Sequence, residues 1–280
     1  MLDSLKSKFL LAVEKYGWYR HPKESKRFLG LDVIATKGAF LRKYEKDDAW
    51  LFLLSRNHKN ILDIGCNIGQ SSLIMLLGTD NKMVCVDPNP KALSLCAENL
   101  IYNRLSSQAG FVNAFVGEND NDEVEFFTIG SGAAGSIFAG FAKTASKNKK
   151  SIQVRVRTVT SICSELMFLP DLIKIDVEGA EQLVLKGMDL SKMKARPTLF
   201  VEMHSGEELD IVDNTMGILE WCSNNNYRAY YMKNHSLLTV DDIKSRGRYH
   251  ALLLPDGTNY PDYLTQLPKN ISLESLDTSK

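Results

Sequence analysis

The stretch DLIKIDVEGAE, residues 171–181, combines the apolar pattern of a buried strand with three regularly spaced charges. Ile173 and Ile175 indicate a strand that faces a core, whereas Lys174, Asp176 and Glu178 stand at every second position. Positions two apart in a strand share one face. Because an unpaired charge is unfavourable inside a protein, we expect these three side chains to pair with one another or to contact a ligand.

The overall composition is typical of a soluble globular protein. The chain has 280 residues, of which 44% are hydrophobic and 24% charged, and 34 basic residues balance 34 acidic ones. This balance gives no net field that would attract nucleic acid or an anionic membrane. No apolar run reaches the length of a membrane span, and the N-terminal residues lack a small-residue cleavage site. We therefore expect a cytoplasmic protein without nucleic-acid or membrane partners, and the sequence leaves its oligomeric state open.

The cysteines are scattered along the chain, and none of them forms a CxxC pair. They are Cys66, Cys85, Cys96, Cys163 and Cys222. An odd number at scattered positions argues against a disulfide framework and against a structural zinc site. Since most of them lie in apolar runs, we expect them to be small core residues.

Strand-like and helical patterns alternate from NILDIG, residues 60–65, onward. This alternation predicts an α/β fold with a mainly parallel sheet and right-handed crossovers. Two late strands, YRAYYMKN and YHALLLP, have only a loop between them and predict an antiparallel pair at one edge. We expect one α/β domain over residues 51–256, preceded by an N-terminal helical cap at 1–50 and followed by a polar, peripheral tail at 257–280. The Gly- and Ala-rich stretch around residues 131–145 is the expected mobile loop.

The turn after the first of these strands has the features of a nucleoside site. DIGCNIG places Asp63, Gly65 and Gly69 between a strand and a helix, where glycine lets the backbone approach a ligand. Asp87 ends the next strand, near the position at which an acid meets ribose hydroxyls in dinucleotide folds. Asn67 replaces the middle glycine of the dinucleotide fingerprint, which disfavours NAD and a pyrophosphate. Asp63 suits a ligand that carries an ammonium and a sulfonium, and S-adenosylmethionine carries both.

Three stretches resemble the FkbM family of S-adenosylmethionine-dependent methyltransferases: ILDIGCNIGQSSL, VDPNPKALSLCAENL, and DLIKIDVEGAEQLVLKG running on to PTLFVEMH. The third is the most specific, because KIDVEGAE is close to a family signature. The resemblance covers residues 44–204. It implies the class I methyltransferase fold, a Rossmann-like and mostly parallel seven-stranded sheet with helices on both faces and an antiparallel last strand. It also implies methyl transfer to a hydroxyl oxygen of a small molecule such as a sugar or a natural product.

The same resemblance implies where the cofactor S-adenosylmethionine is bound. Asp63, Gly65, Asn67 and Gly69 are expected to line it, with Asp87 on the ribose. The full set of expected cofactor-binding residues adds Glu45, Pro88, Asn113 and Asp176. The family often carries Thr-Leu-Asp after the strand VRVRTVT, but this chain continues with SICSEL, which puts a role for that carboxylate in doubt.

The stretch PTLFVEMH ends with Glu202 and His204, which share one face at a strand terminus. An aliphatic hydroxyl is a poor nucleophile, so a base that accepts its proton should add roughly 10²–10⁴-fold to the rate. We expect either His204 or Asp176 to be this base, with Lys174 and Glu202 fixing the geometry. The other histidines lack a comparable setting; they are His21, His58, His235 and His250.

Other interpretations of the same residues stay open at the level of sequence. Asp176, Glu178 and Glu202 could hold a divalent metal such as Mg²⁺, because oxygen ligands suit it, although spacing alone does not establish a site. The chain could also be an NAD-linked oxidoreductase, or a non-catalytic module that binds S-adenosylmethionine. The identity of the methyl acceptor is not specified by the sequence.

Overall fold

A computed structural model of the chain describes residues 22–28, 31–37, 46–128, 135–137, 151–194, 196–205, 209–244 and 247–267. Its strands are β1 (Lys23–Phe28), β2 (Leu31–Thr36), β3 (Asn60–Ile64), β4 (Lys82–Val86), β5 (Ala109–Val112), β6 (Phe115–Val116), β7 (Glu123–Phe127), β8 (Ser151–Arg157), β9 (Leu172–Ile175), β10 (Thr198–His204), β11 (Tyr227–Tyr231), β12 (Ser236–Leu237) and β13 (Arg248–Pro255). Its helices are α1 (Lys46–Arg56), α2 (Gln70–Leu76), α3 (Pro90–Tyr102), α4 (Val159–Glu165), α5 (Glu181–Lys186), α6 (Ile211–Asn224), α7 (Val240–Ile243) and α8 (Asp262–Thr265). Strands and helices alternate through the middle of the chain, as the sequence predicts.

The central sheet has the strand order β12–β11–β13–β10–β9–β3–β4–β5. The neighbours from β5 to β10 are parallel, and β13 runs antiparallel to both β10 and β11. The chain enters the middle of the sheet at β3, moves outward to β5, and returns to β9 on the other side of β3. This reversal creates the switch point at which ligands bind in open α/β sheets.

This topology confirms the expected class I methyltransferase fold, with one difference in strand count. The eighth strand, one more than expected, is the two-residue β12 that pairs with β11 at the edge. The expected antiparallel pair of late strands is β11 and β13. However, β13 lies between β10 and β11 rather than at the edge, so its residues face the end of β10.

Alternate side chains of the central strands enter two cores on opposite faces of the sheet. On β9, Leu172 packs in the core that α1, α2 and α3 share, whereas Ile173 and Ile175 pack in the core that α4, α5 and α6 share. Fully burying such a side chain contributes about 1.5–3 kcal/mol. Helices therefore cover both faces, as expected. By the same alternation, Lys174 points toward the face of Leu172.

A three-stranded sheet, β6–β8–β7, packs against the turn that follows β9. Its strand β8 has the alternating sequence predicted for a strand with one wet face. Val154 and Val156 are buried, while Arg155 is exposed. Phe115 and Phe126 complete this small core together with residues of the turn. The sheet therefore brings two aromatic rings close to the end of β9.

The expected helical cap is wrong for the part of the N-terminal region that the structure describes between residues 23 and 36. This part is an antiparallel hairpin of β1 and β2. Val33 and Ala35 are fully buried and alternate with exposed residues, which is the period of a strand. Asn99 of α3 accepts a hydrogen bond from the Thr36 N–H at 2.8 Å, so tertiary contacts hold the hairpin. Among the described residues the first helix is α1, and the rest of the cap lies outside them.

The expected peripheral tail is wrong for its first residues. Leu264 of α8 is fully buried and Leu267 is nearly so, and both belong to the core beneath α1. An amphipathic turn, rather than overall polarity, therefore decides how this segment packs. Most of the expected mobile loop and residues 268–280 lie outside the described residues. Among the helices that the structure describes, none has the length and apolar character needed to cross a bilayer.

Candidate active site

Two adjoining clefts open at the carboxyl ends of the central parallel strands. The first cleft, of about 630 Å³, is lined by Ile64, Gly65, Asn67, Val86, Asp87, Pro88, Asn89, Ala92, Ala114, Phe115, Val116, Phe126, Gly135, Asp176, Val177 and Glu178. The second cleft, of about 820 Å³, is lined by Asp47, Asp48, Leu51, Gly65, Cys66, Asn67, Ile68, Gln70, Ser71, Lys174, Asp176, Phe200, Glu202 and His250. Both volumes include space that is open to solvent. Gly65, Asn67 and Asp176 line both clefts and therefore mark their junction.

The turn after β3 owes its shape to two glycines with positive φ. Gly65 has φ +79°, and a Cβ placed on it would lie 1.8 Å from the carbonyl oxygen of Asp176. Gly69 has φ +88°, and a Cβ there would lie 2.8 Å from Cys96 Sγ. Asn67, between them, also has a positive φ of 49°. Only glycine fits at the two outer positions, so the turn can lie directly against the end of β9.

Asp87, at the end of β4, presents its buried carboxylate to the first cleft. The backbone N–H groups of Asn67 and Asn89 donate to its two oxygens, each at 2.8 Å. Burial raises the pKa of Asp87 to about 6. Each carboxylate oxygen has a further lone pair, so the group can still accept hydrogen bonds from a ligand.

Pro88 and Asn113, two of the expected cofactor residues, differ in their position. Pro88 lines the first cleft. The Asn113 side-chain amide donates to the carbonyl oxygens of Asp87 at 2.8 Å and of Pro88 at 3.1 Å. Asn113 therefore holds the strand-end turn in place. Glu45 lies outside the described residues.

Sequence reasoning missed the apolar wall of the first cleft, which Ala114, Phe115 and Phe126 provide. These residues precede or belong to β6 and β7, short strands outside the recognised motifs. The alternation in EVEFF predicted a strand, but not that its inward ring would reach this cleft. The cleft thus combines an acid at one end with aromatic rings alongside it.

Lys174 is the buried cation at the centre of the site. Its Nζ lies 3.2 Å from Asp63 Oδ1 and 3.3 Å from Asp176 Oδ2, and it donates to the Gly65 carbonyl at 3.0 Å. Burial alone would lower the pKa of Lys174, but attraction to Asp63 and Asp176 outweighs it and raises the pKa above its ordinary value. Lys174 therefore stays charged and ties the turn after β3 to the turn after β9.

Asp63 does not lie on the surface of either cleft, which corrects the expectation of direct contact with a cationic ligand. It is fully buried, and its Oδ2 accepts hydrogen bonds from Ser71 at 2.9 Å and Ser72 at 2.7 Å. Its other oxygen faces Lys174. Asp63 therefore pairs with groups inside the protein, and it influences the clefts through its ion pair with Lys174.

The expected run of three charges on one strand face is only partly observed. β9 ends at Ile175, so Asp176 and Glu178 lie in the turn that follows. Glu178 adopts φ +51°, which rotates the chain away from strand geometry. Burial raises the pKa of both carboxyl groups above the ordinary range. Asp176 still reaches Lys174, whereas Glu178 turns toward His204.

His204 is surrounded by carboxylates. Its Nδ1 lies 2.9 Å from Glu181 Oε1, and its Nε2 lies 3.5 Å from Glu202, 3.6 Å from Glu178 and 3.9 Å from Asp176. Burial alone would lower the pKa of His204, but the hydrogen bonds with Glu181 and Glu202 and the nearby charges raise it to about 11. At neutral pH the imidazole is therefore protonated. Glu181 is fully buried and forms an ion pair with His204.

Glu202 connects His204 to the neighbouring strand β13. Its carboxylate lies 3.0 Å from Arg248 Nη1 and 3.4 Å from His250 Nε2. Burial alone would raise the pKa of Glu202, but the bonds with His204 and His250 outweigh it and lower the pKa well below its ordinary value. His250 also lies 3.7 Å from Asp47 and lines the second cleft, so the expectation that it lacks a setting comparable to that of His204 is wrong. The sequence could not indicate this contact, because it depends on β13 pairing with β10.

Two cationic side chains already lie among the residues that the sequence suggested as metal ligands. Of the proposed ligands Asp176, Glu178 and Glu202, the first and the last have donor atoms that lie, together with one of His204, within 4.8 Å of one another. However, Lys174 already faces Asp176, and a protonated His204 stands among the carboxylates. These cations balance the acidic groups, so the donor set does not require a metal ion.

Comparison with known families and structures places this site in context. The sequence profile described as methyltransferase FkbM domain matches residues 63–229, and no curated protein shows significant similarity to the chain. The methyltransferase FkbM from Methylobacillus flagellatus KT is 18% identical over 70% of this chain, with a TM-score of 0.41, and the match spans only 43% of that protein. The O-methyltransferase from Bacillus cereus, solved in complex with SAH, is 14% identical over 77% of this chain and 82% of its own, with a TM-score of 0.45.

The profile matches well over half of the chain and includes the glycine turn, Asp87, Lys174, Asp176 and His204. Its first matched residue is Asp63, and its last lies in β11. The alternative of an NAD-linked oxidoreductase is therefore not supported. This chain belongs to the methyltransferase FkbM domain family.

Proposed function

We propose that this methyltransferase transfers a methyl group from S-adenosylmethionine to a hydroxyl oxygen of a small polar molecule. The observation that carries the proposal is the junction between the two clefts, where a single carboxylate, Asp176, faces both. A transfer reaction needs the donor carbon and the acceptor oxygen in line, and such positioning contributes about 7–11 kcal/mol to lowering the barrier. A base at the border of two pockets is suitably placed for this task.

The first cleft fits the nucleoside part of the cofactor. Asp87 has carboxylate lone pairs to accept hydrogen bonds from ribose hydroxyls, and Phe115 and Phe126 offer apolar surface to a purine. Gly65, without a side chain, places its backbone on the wall of this cleft, whereas Gly69 packs against Cys96 and shapes the turn from inside. When bound, S-adenosylmethionine supplies an electrophilic methyl group on a sulfonium. The carboxylate of Asp176, at the junction, favours a positive charge beside it.

Asp176 is a better candidate base than His204. A base must be unprotonated before it accepts a proton, and the raised pKa of His204, about 11, keeps its imidazole protonated near neutral pH. Burial raises the pKa of Asp176, which makes this carboxylate a stronger base than an exposed one. Its side chain is also 29% exposed, whereas that of His204 is 8% exposed. We infer that Asp176 accepts the hydroxyl proton.

Lys174 and His204 are positioning residues in this proposal. Lys174 fixes one oxygen of Asp176 and the carbonyl of Gly65, so it sets the distance between the base and the glycine turn. The imidazolium of His204 attracts the other oxygen of Asp176 and is held in turn by Glu181. Glu202 extends this arrangement to Arg248.

The second cleft suits an acceptor that carries several hydroxyl groups. Its lining offers carboxylates from Asp47 and Glu202, an imidazole from His250 and an amide from Gln70, with Phe200 as an apolar surface. Acceptors and donors of this kind recognise hydroxyls, and one aromatic face suits the apolar side of a sugar ring. This composition supports a sugar or a hydroxylated natural product as acceptor.

The test compares cofactor binding and turnover in matched variants. Calorimetry with S-adenosylmethionine should show binding to the wild-type protein, and Asp87→Ala should weaken it about 10–100-fold, because a hydrogen bond to a charged group contributes about 1.5–3 kcal/mol. Asp176→Asn should weaken that binding less than Asp87→Ala does, and it should lower the formation of S-adenosylhomocysteine across a panel of hydroxylated acceptors by about 10²-fold or more.

A matched control and a contradicting outcome complete this test. His204→Gln should reduce turnover less than Asp176→Asn does, because the neutral amide still reaches the neighbouring carboxylates. Unchanged turnover in Asp176→Asn would remove it as the base. Binding without turnover on every acceptor would instead favour a non-catalytic module that binds S-adenosylmethionine.

A further inference from the structure

Three cysteines that are far apart in the sequence form one cluster in the structure. Cys66 lies in the turn after β3, Cys85 on β4 and Cys96 on α3. All three are buried, with exposures of 2% or less, and their sulfur atoms lie within 4.8 Å of one another. None of the three takes part in the transfer proposed above.

This cluster lies directly beneath the glycine turn. A Cβ on Gly69 would meet Cys96 Sγ at 2.8 Å, and the Cys66 sulfur lies 3.8 Å from the carbonyl oxygen of Asn67. Cys66 also lines the second cleft, so the cluster borders a solvent-connected space. The three sulfur atoms therefore lie behind the wall of that cleft.

Polar contacts link the cluster to the charged network of the site. Ser72 Oγ lies 3.6 Å from Cys85 Sγ and 3.8 Å from Cys96 Sγ, and it donates to Asp63 at 2.7 Å. Asp63 in turn faces Lys174. A change of charge at the sulfur atoms therefore alters the electrostatic environment of Lys174, which holds the two turns together.

We propose that Cys66, Cys85 and Cys96 form a binding site for a thiophilic divalent cation of the Zn²⁺ class. Thiolate sulfur is a preferred ligand of such ions, and three ligands from separate elements leave one coordination position for an oxygen. With Zn–S bonds of about 2.3 Å, tetrahedral geometry sets sulfur atoms about 3.8 Å apart, so the observed cluster needs to contract by about 1 Å at most. Ser72 Oγ borders the cluster on its polar side.

Binding exchanges protons for the metal ion. Three thiols lose three protons as three sulfur–metal bonds form, which leaves a complex with a net charge of −1. The charged group nearest to Ser72 is the Asp63 carboxylate, whose charge Lys174 balances.

The cluster differs from ordinary core packing because three thiols converge at one place. The other cysteines, Cys163 and Cys222, are also buried but do not belong to this cluster. A single buried cysteine is a small apolar residue. Three sulfur atoms in mutual reach, with a hydroxyl beside them and a cleft at one of them, make a donor set of the kind that holds zinc in proteins.

The experiment uses Cd²⁺ as a spectroscopic probe of the full-length, reduced and metal-free protein. Titration should give one Cd²⁺ per chain together with a near-ultraviolet thiolate-to-metal charge-transfer band. Cys66→Ser and Cys96→Ser should each lose most of this band and bind Cd²⁺ at least about 10–100-fold more weakly. The matched control Cys163→Ser, which changes a buried thiol outside the cluster, should keep the band and the affinity.

A second measurement needs no variant and therefore does not depend on how the variants fold. Cd²⁺ should slow the alkylation of Cys66, Cys85 and Cys96 in the native protein, as mapped by peptide mass spectrometry, and leave Cys163 and Cys222 unchanged. Cd²⁺ binding without the charge-transfer band, or equal alkylation at all five cysteines with and without Cd²⁺, would overturn the proposal. Neither readout depends on methyl transfer, so failure here leaves the proposed reaction untouched.

Discussion

Gly65 and Asp176 approach so closely that a side chain on the glycine would lie 1.8 Å from the carbonyl oxygen of the aspartate. The two residues end neighbouring parallel strands, β3 and β9, and the turns that follow them line both clefts. This contact fixes the position of the Asp176 backbone relative to the glycine turn. The spacing of the site therefore depends on the absence of one Cβ atom.

Gly65→Ala should destabilise the protein and abolish high-affinity binding of S-adenosylmethionine. Its positive φ alone accounts for about 1–3 kcal/mol of strain, and the overlap with Asp176 adds to it. Gly257→Ala is the matched control, because Gly257 has a similar φ of +87° but no atom within 4 Å of the added Cβ. Urea unfolding and calorimetry should show a larger stability loss for Gly65→Ala, and loss of binding in that variant alone. Equal effects of both variants would refute the role of the contact.

Lys174→Met should be among the most destabilising single changes in the site. Removing the ammonium leaves Asp63 buried with no cation beside it, and breaking a buried ion pair in this way costs about 3–5 kcal/mol. Lys59→Met is the control, because its ion pair with Asp80 is solvent-exposed and such pairs contribute about 0–1 kcal/mol. Chemical unfolding measures the loss of stability in both variants. A similar small change in the two variants would contradict the central role of Lys174.

The features that the sequence predicts correctly lie in short local patterns. The glycine turn and Asp87 lie in short contiguous motifs next to a strand, so their positions follow from the chain itself. The alternating pattern of β8 likewise predicted its buried and exposed faces. In contrast, Asp63 and Lys174 are register partners on neighbouring strands, and so are Glu202 and His250. One sequence does not reveal strand register, so both pairings were missed.

Tertiary contacts explain the remaining differences between expectation and structure. The β1–β2 hairpin is held by Asn99 of α3 and by Asn103 directly after that helix, which no local propensity indicates. The cysteine cluster joins a turn, a strand and a helix, so its members look isolated along the chain. The state of His204 also depends on four carboxylates from separate parts of the fold. Because these acids raise the pKa of His204, this expected base is an imidazolium near neutral pH.

The affinity for S-adenosylmethionine should fall in mild acid because of Asp87. Burial raises its pKa to about 6 in the free protein, so the carboxylate gains a proton as the pH falls below that value. The protonated acid accepts hydrogen bonds poorly, and affinity should drop by at most about tenfold per pH unit below pH 6. Calorimetry between pH 5 and 8 measures this change. Asp87→Asn is the control and should show weak binding with a flatter pH profile, whereas an identical profile would contradict the ribose assignment.

His204 should make the protein less stable as the pH rises above neutral. Its pKa in the folded protein is raised to about 11, compared with an ordinary value of about 6.5 in the unfolded chain. A group with a raised folded pKa gives its full stabilisation below the unfolded value and loses it as the pH rises toward the folded value. The stabilisation by His204 is therefore lost between about pH 6.5 and about pH 11. In this range the folded state holds one more proton than the unfolded state.

Urea unfolding of wild-type and His204→Gln protein at several pH values between 7 and 10 isolates this contribution. The difference in the free energy of unfolding between the two proteins should shrink steadily with rising pH, by about 1.4 kcal/mol per pH unit at most. His235→Gln is the control, because burial lowers the pKa of His235, so its folded state gains no extra proton over the unfolded state. A constant difference between wild-type and His204→Gln would mean that His204 is neutral when folded. Such a result would return His204 to the role of candidate base beside Asp176.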